Sequence, residues 1–262
     1  MKRWIPFLKT PPSVSVIRLS GAIGVGARGI DFASLRPVID KAFRSKPDAI
    51  ALEINSPGGS AVQSSLIAGH IRSLADEKKI PVVAFVEDVA ASGGYWLASA
   101  ADEIFVDHSS VVGSIGVISA GFGLHDFIDR YGIERRVHTA GESKSMLDPF
   151  RPEKKEDVAR LETLLERIHE AFKTQIRSRR EGKLAEADLF TGEIWVGEQG
   201  VEVGLADATG HLVPEMKRRL GDKVKIRRFG QRKSLLSRFG AEVVDGAVGS
   251  FEERAAYARF GL

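Results

Sequence analysis

The sequence predicts an α/β domain built on a parallel sheet. Two strand–turn–helix units lie side by side in it. In the first, the strand Ala49–Ile54 breaks at Asn55-Ser56-Pro57-Gly58-Gly59 and a helix follows through about Ala75. In the second, the strand Pro81–Val86 breaks at Ala90-Ala91-Ser92-Gly93-Gly94 and the helix Tyr95–Ala101 follows. Both strands are continuous apolar runs, as strands covered on both faces are. Strands of that kind alternating with helices imply parallel pairing. The chain has 262 residues and 43% apolar residues, enough to bury a sizeable core without staples.

The other elements follow from periodicity and punctuation. Pro11-Pro12 precedes a strand, Val14–Leu19, and a glycine-rich turn, Ser20–Gly26, follows it. Phe32, Leu35, Val38, Ile39, Ala42 and Phe43 have helical spacing within Asp31–Ser45. Glu103–Val106 and Val111–Ser119 read as short strands around Gly113-Ser114-Ile115-Gly116. Leu124–Tyr131 reads as a helix, Glu134–Thr139 as a strand and Ala140–Pro152 as a loop. Glu153–Arg180 is the longest helical pattern, with Val158, Leu161, Leu164, Leu165, Ile168, Ala171 and Phe172 on one face. Gly192–Asp207 holds short strands and a short helix, and Leu212–Leu220 is a final helix. The expected organisation is a basic extension at 1–13, one domain at 14–224 and an arm or tail at 225–262.

Charge is small in sum and uneven in place. The formal net charge is +3, too little to imply a nucleic-acid partner. Residues 217–238 nevertheless carry ten Lys or Arg against the single acid Asp222, and the start carries Lys2, Arg3 and Lys9 with no acid. That pattern suits a solvated basic surface or peripheral contact with an anionic membrane. A cytoplasmic placement, peripheral on the inner membrane, is the expectation drawn from it. No run reaches the roughly 20 apolar residues of a spanning helix, and the apolar run at the start is too short for a signal peptide. The absence of cysteine excludes disulfide scaffolds, zinc ribbons and thiol chemistry. No metal-ligand motif occurs, no cofactor is expected, and the phosphate-binding pattern GxxxxGK[ST] is absent.

Ser92 is the strongest candidate for chemistry. A serine between an apolar strand and a helix sits where free N–H groups and the helix dipole favour developing negative charge. The same position also suits a serine that merely caps the helix. A nucleophilic serine needs a base. None of the six histidines stands beside an evident partner. Lys144, in the loop before the long helix, is a candidate if burial lowers its pKa. The turn Ser56-Pro57-Gly58-Gly59 belongs to the neighbouring strand, so its N–H groups can point at an oxyanion beside Ser92. Trp96, Leu97 and Val62 are candidate pocket neighbours and equally candidate core residues.

Asn55–Gly59, Asp88–Trp96, Ala100–Phe105, Gly113–Val117 and Gly141–Pro149, in that order, resemble the S49 family of serine peptidases, the signal peptide peptidases of the SppA type. The resemblance runs from about Val14 to Val213 and includes Gly204-Leu205-Ala206-Asp207 near its end. It implies a crotonase-like (ClpP-like) fold and a Ser–Lys dyad. By position, Ser92 matches the nucleophile, Lys144 the general base, Ser114 the serine that orients that lysine, and Gly59 the oxyanion glycine. The Gly93 amide is a further oxyanion candidate from its place beside Ser92. The resemblance also implies an extended peptide substrate, such as a signal-peptide remnant or an unfolded segment, and a ring-like homo-oligomer. Members of the family usually begin with a membrane-spanning helix, which this sequence does not show. The alternatives are a catalytically inactive membrane-surface scaffold and a crotonase-type acyl-CoA enzyme, since a fold alone does not choose a chemistry.

Overall fold

The computed structural model describes residues 11–24, 29–141, 143–230 and 254–262. The basic start therefore lies outside the described residues, as does most of the expected tail. Strand β1 (Ser13–Ser20), helix α1 (Phe32–Arg44), strand β2 (Ala49–Ser56), helix α2 (Ala61–Lys78), strand β3 (Val82–Ala91) and helix α3 (Gly93–Ala98) form the first half. Strands β4 (Glu103–Val106) and β5 (Val111–Gly113) and helices α4 (His125–Arg130) and α5 (Lys155–Arg179) follow. Strand β6 (Ile194–Val196), helix α6 (Glu198–Glu202), strand β7 (Ala208–Thr209), helix α7 (Leu212–Leu220) and strand β8 (Lys225–Phe229) complete the order.

The strands form one sheet in the order β6-β5-β3-β2-β1-β8, with β4 between β3 and β7. Every pairing is parallel except β5 with β6. This is the parallel α/β arrangement that the repeated units predict, and the crotonase-like (ClpP-like) fold that the resemblance implies. Ile50, Leu52 and Ile54 of β2 and Val82, Ala84 and Val86 of β3 join the larger core, while Ala49, Ala51, Val83 and Phe85 join a second core with Leu212 and Met216 of α7. Burial on both faces explains why these strands read as unbroken apolar runs. The pairing of β2 with β3 jumps from Ile54↔Val86 to Ser56↔Ala90, so β3 carries extra residues at Glu87-Asp88. Beyond that irregularity β3 leaves β4 and pairs with β5, which brings Ser92 and Ser114 to one end of the sheet.

Local signals fix the helix ends. Asp31 caps α1 by accepting from the Ser34 N–H at 2.9 Å, and Lys41 and Arg44 complement the dipole in its last turn. Hydrogen bonds from the Ser34 hydroxyl and N–H hold the Asp31 carboxyl below its usual pKa.

Part of the basic run at 217–230 is spent internally. Glu215 on α7 accepts from Arg218 at 2.8 and 2.7 Å and from Arg219 at 2.6 Å. Arg219 also forks onto Glu103 of β4 and lies over the Phe105 ring, which ties α7 to the sheet. Hydrogen bonds from Arg218, then Arg219, bring the Glu215 carboxyl down to about 2. Its stabilising contribution is complete above the unfolded-chain value near 4.3 and drains away as pH falls through about 2. Urea unfolding from pH 7 to pH 2 is expected to show wild type losing about 2 kcal/mol more than Glu215→Gln over that window. Equal losses would show that the network adds nothing.

Three sequence expectations differ from the structure. Lys225–Phe229 is a strand paired with β1 rather than the start of an arm. As an edge strand it needs only two half-buried apolar residues, Ile226 and Phe229, so its apolar signal is thin. Glu134–Thr139 forms no strand, pairs with no strand among the described residues and is mostly exposed. The expected strand Val111–Ser119 stops at Gly113. On α5 only Phe172 and Ile176 are buried, while Leu164 and Ile168 on the same apolar stripe stay exposed.

Candidate active site

Two glycine-glycine turns meet at the end of the sheet. The turn after β2 is held by Ser56, whose hydroxyl donates to the Gly21 carbonyl at 2.7 Å. It is also held by Ile23, whose N–H donates to the Gly58 carbonyl at 2.8 Å and whose carbonyl accepts from the Ser60 N–H at 2.8 Å. Gly59 has φ +138°, and a Cβ there would stand 2.2 Å from the Ile23 carbonyl oxygen. Only glycine meets both demands.

The second turn places Ser92 at φ 51°, ψ −121°, a conformation costly for a side-chain-bearing residue. Its N–H donates to the Gly113 carbonyl at 2.8 Å, which locks it against β5. Its side chain makes no capping bond to α3, which removes the simple N-cap role. Gly94 abuts the first turn so closely that a Cβ there would lie 2.3 Å from the Ser56 carbonyl oxygen. Gly93 also abuts that turn: a Cβ on it would lie 2.5 Å from the Ser64 hydroxyl oxygen and 3.3 Å from the Gly59 nitrogen. The Gly59 and Gly93 amides therefore sit side by side next to Ser92. Among the described residues neither has a hydrogen-bond partner. Two free N–H groups beside an uncommitted serine hydroxyl are what a developing oxyanion requires.

A longer chain of contacts holds α3, and with it Ser92. Tyr95 is wholly buried and its hydroxyl donates to the Leu205 carbonyl at 2.7 Å. Burial pushes this phenol well above its usual pKa. The adjacent Asp207 accepts from the Ile104 N–H, Arg180 and Lys183, each at 2.7 Å. Arg180 is itself buried and donates twice to the Gly204 carbonyl. Burial alone would raise the Asp207 carboxyl, but the Arg180 and Lys183 hydrogen bonds outweigh it and the pKa falls. The Gly204–Asp207 segment thus works as a clamp between α5, β4 and α3.

These elements enclose a cavity of about 560 Å³. Ser92, Gly93, Gly59 and Ser114 all line it, so the structure gathers four of the five sequence-predicted site residues. Ser114 follows β5 at φ 50° with its N–H on the Glu193 carbonyl. Trp96 also lines the cavity and stacks on Phe172 of α5 at 4.8 Å. Leu97 is pure core, and Val62 is exposed and apart.

Lys144, the fifth residue, is exposed on its loop and does not line the cavity. Its ammonium has no hydrogen-bond or ion-pair partner among the described residues. The segment leading to it exposes Ile118, Phe122, Phe127, Tyr131 and Ile133, with Phe122 83% exposed. No histidine, aspartate, glutamate or lysine is among the described residues that line it.

Sequence reasoning missed Ile23, which clamps the first turn, and the wall formed by Ala256, Arg259 and Phe260. Ile23 sits in a loop with no motif. The other three belong to a short terminal segment with too few residues to show a period.

Comparison with known proteins gives the same direction. The family model described as Peptidase family S49 matches residues 75–227, a span that includes Ser92, Gly93, Ser114 and Lys144. The chain is 43% identical over 286 aligned residues to the Na(+)/H(+) antiporter NhaA of Brucella melitensis, covering 100% of this chain and 39% of that protein. It is 32% identical over 203 residues to the chloroplastic serine protease SPPA of Arabidopsis thaliana, covering 76% of this chain and 29% of that one. It is 30% identical over 208 residues to protease 4 of Haemophilus influenzae, covering 76% of this chain and 33% of that one. The chain thus spans well under half the length of these three relatives.

Proposed function

The chain belongs to peptidase family S49, and on that premise we propose that it is a serine endopeptidase acting on extended peptides through a Ser92–Lys144 dyad. The observation that carries the proposal is the strained, uncapped Ser92 beside the unpartnered Gly59 and Gly93 amides. Neutral Lys144 takes the Ser92 proton as Ser92 Oγ bonds to the peptide carbonyl carbon. The two amides donate to the resulting oxyanion. The lysine ammonium then protonates the leaving amine, and water, deprotonated by the same lysine, releases the acyl group. Ser114 orients the lysine by hydrogen bonding.

The dyad is completed between copies of the chain. Lys144 stands outside its own chain's cavity, on a segment of exposed apolar side chains that a second copy would cover. A closed ring is the symmetric way to repeat such a contact. In it, Lys144 of one copy enters a partner's cavity and loses solvent, which lowers an amine's pKa. The apolar walls at Ala22, Ala61, Val117 and Ile168 suit small or apolar side chains next to the scissile bond. The antiporter's name describes that protein, and no helix of the described residues is long and apolar enough to cross a membrane.

The test is covalent. A fluorophosphonate is expected to modify Ser92 alone, mapped by peptide mass, with peptide hydrolysis rising from pH 6 to an alkaline plateau near 9. Modification elsewhere, or hydrolysis that falls over that range with the fold intact, would exclude a lysine-activated Ser92.

A further inference from the structure

The last residues of the chain return to the catalytic end of the sheet. Residues 254–258 are helical. Tyr257 and Phe260 rest on Val89, Ala91 and Val111, the ends of β3 and β5 that lead into Ser92 and Ser114. The Tyr257 hydroxyl donates to the Asn55 carbonyl at 2.8 Å, at the root of the first glycine turn. The segment is thereby tied to β2, β3 and β5, the three strands that lead into the site. Ala256, Arg259 and Phe260 then form a wall of the same cavity that Ser92 lines.

Among the described residues lining that cavity, Arg259 alone carries a charge. It has no ion-pair partner among the described residues, and its guanidinium lies 6.0 Å from the Phe260 ring centroid. The rest of the wall is apolar or neutral. Arg259 is exposed at this wall, so its guanidinium can meet an anion entering the cavity without first leaving another partner, through an attraction that solvent and salt screen. A guanidinium matches a carboxylate with two parallel N–H donors.

We propose that Arg259 is a specificity-determining residue, selecting peptides that present a carboxylate to the catalytic cavity. The inference rests on the peptidase reading for its substrate class. The carboxylate comes either from an acidic side chain near the scissile bond or from the peptide's own C-terminus. Arg259 takes no part in bond breaking. It acts by binding the carboxylate.

Paired peptides test it on the full chain. One pair differs by Glu against Gln at a single position, and the other by a free acid against an amide at the C-terminus. Binding is read by anisotropy of labelled peptides on Ser92→Ala protein, and kcat/KM on wild type. The carboxylate member is expected to be favoured roughly three- to tenfold. Arg259→Ala removes the preference, Arg259→Lys restores part of it, and Arg259→Glu reverses it. Raising the salt to about 0.5 M compresses it. Preference in the first pair alone assigns the side-chain carboxylate, and in the second alone the terminal one. A wild-type ratio of one in both pairs, or a ratio unchanged by Arg259→Glu, overturns the proposal. The two readings fail separately. If a fluorophosphonate labels Ser92 and no preference exists, the specificity fails and the peptidase stands. If Ser92 stays unlabelled while the binding preference holds, the peptidase fails and a carboxylate-selective peptide site remains.

Discussion

Ser92→Ala is expected to lower peptide hydrolysis by roughly 10⁴-fold or more, since in the proposed mechanism the acyl intermediate forms on Ser92 Oγ. Ser92→Gly is expected to do the same and also to raise the melting temperature. The reason is the backbone. Ser92 sits at φ 51°, ψ −121°, where a Cβ is costly, and its side chain makes no capping bond that its removal would lose. Relief of about 1–3 kcal/mol of strain exceeds the roughly 0.5–1 kcal/mol of extra chain entropy that glycine loses on folding. A net gain of about 1 kcal/mol is a rise of about 2–4 °C for a domain of this size. Calorimetry of wild type, Ser92→Ala and Ser92→Gly, beside a hydrolysis assay, checks both halves. A glycine variant less stable than wild type would show that Ser92 is there for structure. Retained hydrolysis in either variant would remove Ser92 from the chemistry.

Mixing Ser92→Ala with Lys144→Ala protein restores hydrolysis that neither variant has alone. Each parent lacks one half of the dyad at every site. If the lysine enters from a second copy, a randomly reassembled 1:1 mixture contains intact Ser92–Lys144 pairs at about a quarter of its sites. Activity should therefore return to about a quarter of wild type after the two are dissociated and reassembled together. It should stay absent when they are mixed without exchange. No return after verified exchange would place both members of the dyad in one chain, which then requires the Lys144 loop to move. The expectation follows from the exposure of Lys144 and from a cavity with no base among the described residues that line it.

Ser92 is legible in the sequence because everything that sets it is local. A strand, a Gly-Gly turn and a helix follow one another within a few residues, and backbone sterics make that order mean a sharp turn. The repeat of that unit at Asn55–Gly59 likewise points to parallel strands with neighbouring turns. The site's remaining parts are set by contacts distant in sequence. That Gly59 and Gly93 leave their amides free depends on Ile23 and on the pairing of β2 with β3. The strand expected at Glu134–Thr139 has the right residues and joins no sheet edge among the described residues. Half of the α5 stripe has the right period and stays uncovered among the described residues.

By itself, then, the sequence determined the parallel α/β class, the helices α1, α5 and α7 nearly to the residue, and Ser92 as a nucleophile candidate. Propensity, periodicity and turn chemistry act over a few residues and are written where they act. The tertiary structure alone decided that the two glycine turns touch, that Lys144 faces outward, and that the chain's last residues bring Arg259 to the cavity wall. Such contacts join residues far apart in the chain, and their energy depends on which surfaces the packed sheet leaves available. No local pattern carries that information.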